Sequence, residues 1–164
     1  MIRIVRGRSE RIDDLQPLWE SLSEHHAAVA PHLQELGATR AESWPIRREL
    51  YEGWLTEPGA FVLVAEEADR PVGYALIHIR GPEETWKTGP IAELETLAVL
   101  PEHRGRGVGS ALLARMHEEL RRDGVEHWGV AVISTNADAV RFYERQDLVP
   151  FTNSYLGRVP EARS

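Results

Sequence analysis

The sequence predicts a mixed α/β domain in which a mostly antiparallel, twisted sheet carries helices on both faces. Three observations predict this class. Strand-like and helix-like segments follow in the order β, two α, three β, α, β, α, β. The three middle strands form a meander whose first pair is joined by a tight turn, which favours antiparallel pairing. A strand, a helix and a strand then surround Gly107, an order typical of a right-handed parallel crossover.

The first half of the chain supplies one strand and two helices. Residues 2–5 alternate like a short strand, and Ser9 can cap a helix whose apolar side chains share one face. Those side chains are Ile12, Leu15, Leu18, Trp19 and Leu22. We expect this helix to end before Pro31. Residues 41–59 predict a second helix, with a proline near its start and a glycine beyond its end.

The second half of the chain supplies the rest of the sheet and two further helices. A tight turn is expected near Ala68 to Arg70, and Gly124 ends the longer helix. In chain order, the predicted elements are strands 60–67, 70–81 and 89–100, helix 108–124, strand 125–135, helix 136–147 and the strand-like segment 148–159.

Composition excludes several classes of function. The 164 residues suit one domain, expected over 1–164. Asp and Glu number 26 against 19 Lys and Arg, and the net charge of -7 argues against a nucleic-acid partner. The absence of cysteine excludes disulfides, thiolate nucleophiles and cysteine metal sites. No apolar run approaches the roughly 20 residues of a membrane span, and no export signal is visible. We therefore expect a soluble, cytoplasmic protein without a membrane partner.

The segment RGRGVGS, residues 104–110, lies between a predicted strand and a predicted helix. An ordinary turn would need one glycine, whereas this segment has three, flanked by arginines. Glycine lets the free N–H groups at a helix N-terminus approach an anion closely. The dinucleotide pattern G-x-G-x-x-G fails here, and so does the P-loop, which needs a lysine. The remaining pattern is R-x-x-G-x-G at Arg104, Gly107 and Gly109, which we interpret as a pyrophosphate cradle.

Two segments resemble signatures of the GCN5-related N-acetyltransferase (GNAT) superfamily. Residues 94–113, LETLAVLPEHRGRGVGSALL, resemble its acetyl-CoA-binding motif. Residues 136–151, NADAVRFYERQDLVPF, are similar to a later signature of an asparagine, a helix and a Phe-Tyr pair. The predicted element order is also that of the family. One departure is Asp147-Leu148, where the family often has Gly-Phe. Because aspartate tolerates the left-handed conformation, we expect the turn to remain.

The resemblance implies an acyl-CoA-dependent N-acetyltransferase. The acetyl group of acetyl-CoA would pass to a primary amine of a small molecule or protein, by direct attack in a ternary complex and without a metal. The pyrophosphate would be held by the backbone amides of residues 104–110, and the pantetheine arm would pair with residues 97–99 as an added strand. The cofactor-binding residues that the resemblance implies are Leu97, Ala98, Val99, Arg104, Gly105, Arg106, Gly107, Val108, Gly109, Ser110, Asn136 and Tyr143.

The resemblance also implies catalytic roles. Tyr143 matches the tyrosine that lies near the thioester sulfur and would protonate the leaving thiolate. Glu93 and Glu95 are candidates for the general base. On a regular strand they would share a face with Leu97 and Val99, and two such carboxylates raise each other's pKa. Either carboxylate could instead act through water or bind a cationic substrate, and both could be solvated charges. Two further candidates lie on the preceding strand: Tyr74 and His78.

The first half of the chain is expected to shape the acceptor site. The candidate side chains for this site are histidines and aromatic residues, namely His25, His26, His32, Trp44, Tyr51 and Trp54. His25 and His26 are adjacent and cannot share a helix face as metal ligands four residues apart do, so no metal site is expected. Three alternatives stay open: a CoA-binding sensor without turnover, a transferase for another acyl-CoA, and a transferase with a hydroxyl acceptor. The resemblance also admits a homodimer.

Overall fold

A computed structural model of the chain describes residues 1–37, 39–81 and 89–162. Within them, five strands form one open sheet in the order β1-β2-β3-β4-β5. The strands are β1 (Ile2–Gly7), β2 (Phe61–Glu67), β3 (Arg70–Arg80), β4 (Ile91–Val99) and β5 (His127–Gly129). The pairs from β1 to β4 are antiparallel, and β4 pairs with β5 in parallel. The mixed, mostly antiparallel sheet predicted from the sequence is confirmed.

The helices of the described residues also follow the predicted order. They are α1 (Ile12–Val29), α2 (Arg40–Trp54), α3 (Val108–Arg122) and α4 (Ala137–Glu144). Short 3-10 turns span Ser9–Arg11, Pro31–Leu36 and Pro101–His103. Helix α1 ends before Pro31, as expected, but the cap predicted at Ser9 is wrong. Ser9 opens a 3-10 turn instead, and the carboxylate of Glu10 accepts the nearby N–H of Arg8 at 2.8 Å.

Each face of the sheet is covered by a different set of helices. Because side chains alternate along a strand, each central strand contributes to both faces. One face packs against α3, and its buried strand residues are Phe61, Leu63, Ala65, Val72, Ala75, Ile77, Ala92 and Leu94. The other face packs against α1 and α2, and its buried strand residues are Val62, Val64, Tyr74, Leu76 and Ala98. The predicted helices on both faces are confirmed.

A bulge in β4 interrupts this alternation. Leu76 pairs with Thr96 and Ile77 pairs with Leu94, so Glu95 has no partner residue on β3. Before the bulge, the even-numbered residues of β4 face α3, and after it they face α1 and α2. The regular strand assumed for the two glutamates is therefore wrong, because Glu93 and Leu97 point to opposite faces of the sheet.

The chain after α3 forms less strand than its pattern predicts. Strand β5 has only three residues, and residues 148–162 form no helix or strand. The apolar side chains of Phe151, Tyr155 and Val159 are exposed. An alternating pattern shows that a segment can form a strand but does not supply the neighbouring backbone that a strand needs. The turn expected before this segment is present, since Asp147 adopts a φ of +63°.

The packing of α3 makes a testable prediction about stability. Leu112 is fully buried between α3 and the sheet, so Leu112→Ala removes apolar contacts and leaves a cavity. We expect the free energy of unfolding to fall by about 2–5 kcal/mol, measured by urea denaturation. The control is Leu36→Ala, at a leucine that is 60% exposed. An equal loss in the two variants would contradict the burial of Leu112.

Candidate functional site

A cleft of about 720 Å³ opens where α1, the end of β4, the N-terminus of α3 and α4 meet. It brings together most of the predicted site residues, although they lie far apart in sequence. Those that line it are Glu95, Leu97, Val99, Arg104, Gly105, Gly107, Val108, Gly109, Ser110, Asn136 and Tyr143. Three residues with a predicted cofactor-binding or catalytic role are not among its lining residues: Glu93, Ala98 and Arg106. The two further candidates, Tyr74 and His78, do not line it either.

The N-terminus of α3 points an open set of backbone donors at this cleft. Gly107 precedes the helix with a left-handed φ of +81° and has no side chain to cap it. Gly105 is also left-handed, with a φ of +70°. The first N–H groups of a helix have no acceptor within the helix and carry a partial positive charge. The local geometry therefore favours an anion at this end of α3.

The two arginines of the glycine segment are bonded to the protein itself. Arg104 Nε donates to the backbone oxygen of Val99 at 2.9 Å. Arg106 Nη2 donates to Glu67 Oε1 at 3.1 Å, and the other carboxylate oxygen of Glu67 lies 2.9 Å from His103 Nε2. These contacts fix the segment against the ends of β2 and β4. Contact of either guanidinium with a phosphate stays a prediction.

Helix α4 closes another side of the cleft. Asn136 caps it, since its Oδ1 accepts the N–H of Ala139 at 3.4 Å, and the same oxygen lies 3.4 Å from His25 Nε2. Phe142 packs so closely on α3 that a Cβ added at Gly109 would come within 3.2 Å of its ring. Tyr143 lines the cleft, and burial raises the pKa of its phenol well above its usual range.

Glu95 is held at the bulge by a histidine that links two carboxylates. His78 Nε2 lies 2.6 Å from Glu95 Oε1, and His78 Nδ1 lies 3.2 Å from Glu57 Oε2. The imidazole stacks on Trp54 with ring centroids 5.0 Å apart. The side chain of His78 is 5% exposed and that of Glu57 is 45% exposed. The row of three side chains therefore runs from the cleft to solvent.

Burial and hydrogen bonding oppose each other in this row. Burial acts to raise the pKa of Glu95, but the hydrogen bond to His78 and the charges of Arg80 and Arg47 outweigh it, so the pKa lies below its usual value. Burial acts to lower the pKa of His78, but its hydrogen bonds to Glu95 and Glu57 outweigh it, so the pKa lies above 6.5. The raised carboxylate pKa assumed from the sequence is wrong for Glu95, because its near partner is a histidine.

Arg47 is a site residue that the sequence analysis missed. Its Nη2 donates to the backbone oxygen of Glu95 at 2.9 Å and to Thr96 Oγ1 at 2.8 Å. It lines the cleft together with Trp19 and Leu22 of α1. The sequence did contain a signal for it. Trp44, Arg47, Tyr51 and Trp54 recur at helical spacing on α2, so this arginine shares a helix face with three aromatic residues.

The histidines and aromatic residues of the first half divide between cleft and core. His25 and His26 line the cleft, whereas His32 is exposed. Burial, aided by the nearby charges of His25 and Arg47, lowers the pKa of His26 to about 4. Trp44 and Tyr51 are buried core residues. Across residues 1–37, 39–81 and 89–162, no group of three or more acidic or histidine side chains could hold a metal ion.

Comparison with known proteins assigns the class. The chain belongs to the acetyltransferase (GNAT) family, whose model matches residues 19–147. The family predicted from the sequence is therefore confirmed.

Named relatives cover parts of the chain. It is 32% identical over 135 residues to the mycothiol acetyltransferase of Propionibacterium freudenreichii subsp. shermanii, which is 82% of this chain and 40% of that protein. It is 32% identical over 101 residues to the aminoalkylphosphonate N-acetyltransferase of Salmonella typhimurium, which is 60% of this chain and 63% of that protein. The chain thus spans about two fifths of the length of the mycothiol acetyltransferase.

Solved structures share the whole fold. An aminoglycoside N-acetyltransferase in complex with CoA matches with a TM-score of 0.70 at 16% identity, over 97% of this chain and 95% of the other. A GCN5-related N-acetyltransferase from Ralstonia eutropha matches with a TM-score of 0.73 at 18% identity, over 96% and 99%. In the described part of the chain, none of the helices has both the length and the apolar character that crossing a bilayer requires.

The contacts of His78 predict its titration. In the wild type, the imidazolium should persist to a pH above 6.5, while His26 should stay neutral down to a pH of about 4. Glu95→Gln removes a charged acceptor of the His78 ring, so we expect the pKa of His78 to fall. The measurement is an NMR titration of the histidine ring signals. The control is Glu118→Gln, on the solvent side of α3, and an unshifted His78 in the Glu95 variant would contradict the pairing.

Proposed function

We propose that the chain transfers the acetyl group of acetyl-CoA to a primary amine of a small molecule or protein by direct attack in a ternary complex. One observation carries the proposal. A single cleft joins an uncapped helix N-terminus, the bulged end of β4 and a partly buried tyrosine. These are an anion site, an edge for an extended chain, and a proton donor. Acetyl-CoA has the matching parts, which are a pyrophosphate, a pantetheine arm and a thioester.

The described residues fit the cofactor in two respects. A Cβ added at Gly107 would meet no atom within 4 Å, so the space beside this glycine is open. Leu97 and Val99 line the cleft beside it, while Ala98 faces the opposite core. The backbone of residues 97–99 can then pair with the pantetheine arm, and Ala98 needs only its backbone for this role.

The names of relatives support an amine acceptor. One is an aminoalkylphosphonate N-acetyltransferase and another is a thialysine N-epsilon-acetyltransferase from Mus musculus. The amine-bearing molecules in these names differ from each other. We therefore propose an amine as the reacting group and derive the rest of the acceptor from the cleft.

Of the two candidate carboxylates, we propose Glu95 as the group that takes the proton from the amine. Glu95 lines the cleft, whereas Glu93 is not among its lining residues. The hydrogen bond to His78 keeps Glu95 ionised, so it can hold an ammonium group and accept its proton. His78 and the half-exposed Glu57 then connect this carboxylate to solvent.

Tyr143 is the proposed proton donor to the leaving thiolate. Burial keeps its phenol neutral, so it holds a proton across the physiological range of pH. The same surroundings would raise the pKa of a CoA thiol, which brings the two groups closer in acidity. The thiolate would take the phenol proton as the carbon–sulfur bond breaks.

Gly107 tests the cofactor site. Acetyl-CoA should raise the melting temperature of the wild type by several degrees at about 100 times its dissociation constant, and ATP or NAD should not. Gly107→Gln should abolish this rise, because the side chain enters the open space and strains a left-handed residue. The matched control is Gly124→Gln at the other end of α3, where φ is +72° and a Cβ would also meet no atom within 4 Å. An unchanged rise in the Gly107 variant would overturn the site.

Tyr143 tests the chemistry separately from binding. We expect Tyr143→Phe to lower kcat by about 100-fold or more with little change in the Kd of acetyl-CoA, because only the proton donor is lost. The chain lacks cysteine, so CoA release can be followed with a thiol reagent without background from the protein. The control is Tyr155→Phe, at a tyrosine that is 90% exposed. Full turnover in the Tyr143 variant at every pH would remove this residue from catalysis.

A further inference from the structure

The guanidinium of Arg47 lies in an aromatic cage beside the proposed reaction centre. Its central carbon is 4.6 Å from the ring centroid of Trp19, 5.1 Å from that of Tyr51 and 5.4 Å from that of Trp54. Aromatic faces attract a cation and hold it in place without neutralising its charge. Arg47 is therefore a fixed positive charge in the wall of the cleft.

The hydrogen-bonding capacity of Arg47 is only partly used. Both hydrogen bonds of the Arg47 side chain are donated by Nη2, one to the backbone oxygen of Glu95 and one to Thr96 Oγ1. Nε is buried without a partner. Within the described residues, Nη1 makes no hydrogen bond and no carboxylate lies within ion-pair distance of Arg47. An arginine can bind carboxylates and phosphates through two parallel hydrogen bonds, so Arg47 lacks the kind of partner that its shape matches.

The carboxylate of Glu95 is close enough for the charge of Arg47 to help lower its pKa, but it forms no ion pair with Arg47. The carboxylate of Glu95 is bonded to His78 and lies 3.4 Å from Arg80 Nη2. His26 is kept neutral by burial and by the charge of Arg47 itself. Tyr74, on the core side, has its pKa raised well above its usual value by burial and stays neutral. A positive charge in such a wall costs free energy until an anion pairs with it.

We propose that Arg47 binds an anionic group of the acceptor, and that the acceptor is a small amine that also carries a carboxylate, a phosphate or a phosphonate. This inference rests on the proposed function, because it places the amine of the same molecule at Glu95. Arg47 donates to the backbone oxygen of Glu95, so the guanidinium that would bind the anion lies next to the residue that would take the proton. The anion and the amine of the acceptor should thus be only a few bonds apart.

Matched amines test this substrate class. The probes are β-alanine, 2-aminoethylphosphonate and propylamine, which are similar in length but end in a carboxylate, a phosphonate or a methyl group. We expect kcat/KM of the wild type to be at least about tenfold higher for one anionic probe than for propylamine, since only an anion can accept charged hydrogen bonds from Arg47. The preferred probe identifies the anion. No preference for either anionic probe would overturn the inference.

Variants of Arg47 then assign the preference to this residue. In Arg47→Gln, the ratio of kcat/KM for the anionic probe to that for propylamine should fall about 10- to 100-fold. Arg47→Lys keeps the charge and should recover part of the ratio. It replaces the glutamine variant in the test if that variant does not fold. The control is Arg48→Gln, because Arg48 pairs with Asp13 and Glu52 on the outer surface of α2. An unchanged ratio in both Arg47 variants would overturn the assignment.

A binding measurement separates failure of this inference from failure of the proposed reaction. If the wild type acetylates none of the probes, 2-aminoethylphosphonate and propylamine are titrated into CoA-saturated protein by calorimetry. Tighter binding of the phosphonate that is lost in Arg47→Gln would support the anion site, although acetyl transfer to these amines had failed. Equal binding of the two probes would overturn the anion site.

Discussion

The bulge at Glu95 is the constraint on which the rest of the site depends. One extra residue in β4 reverses which side chains face which helix layer. It turns Leu97 and Val99 toward the cleft and α3, and it turns Thr96 and Ala98 toward α1 and α2. Without it, the strand before the glycine segment would present the wrong residues to both sides. The bulge also leaves Glu95 without a partner residue on β3, which makes its backbone oxygen available to another donor.

A polar network inside the core holds that bulge in place. Tyr51 Oη lies 2.8 Å from Tyr74 Oη and 2.5 Å from Thr96 Oγ1, and Arg47 completes the network from the cleft side. The tyrosines and Thr96 are buried, where an unpaired hydroxyl is costly, so the network restricts how α2 can sit on β4. The helix that shapes the acceptor side is in this way linked to the strand that carries the proposed base. Substrate recognition and base position are therefore parts of one packing arrangement.

Periodic and local features were predictable from the sequence, and the features that depend on distant pairing were not. The helix that Gly124 ends, the glycine segment before it and the turn at Asp147 each follow from a few neighbouring residues. The bulge has no such signature, because it is defined by which residues of β3 oppose β4. The contacts from Glu57 to Glu95 depend on it and were missed for the same reason. The strand expected over 148–159 failed because alternation alone does not supply a partner strand.

Local and total charge point in different directions in this protein, and the local charge decides recognition. The net charge of -7 would favour a cationic acceptor if it acted alone. Charges on the surface are largely screened beyond about 8 Å at physiological ionic strength. They therefore affect how fast a ligand approaches more than how strongly the cleft binds it. Arg47 acts from a partly buried aromatic wall, where screening is weaker and a paired anion is bound more strongly. An acceptor that carries both charges is attracted by the negative net charge and also fits the cleft, with its ammonium at Glu95 and its anion at Arg47.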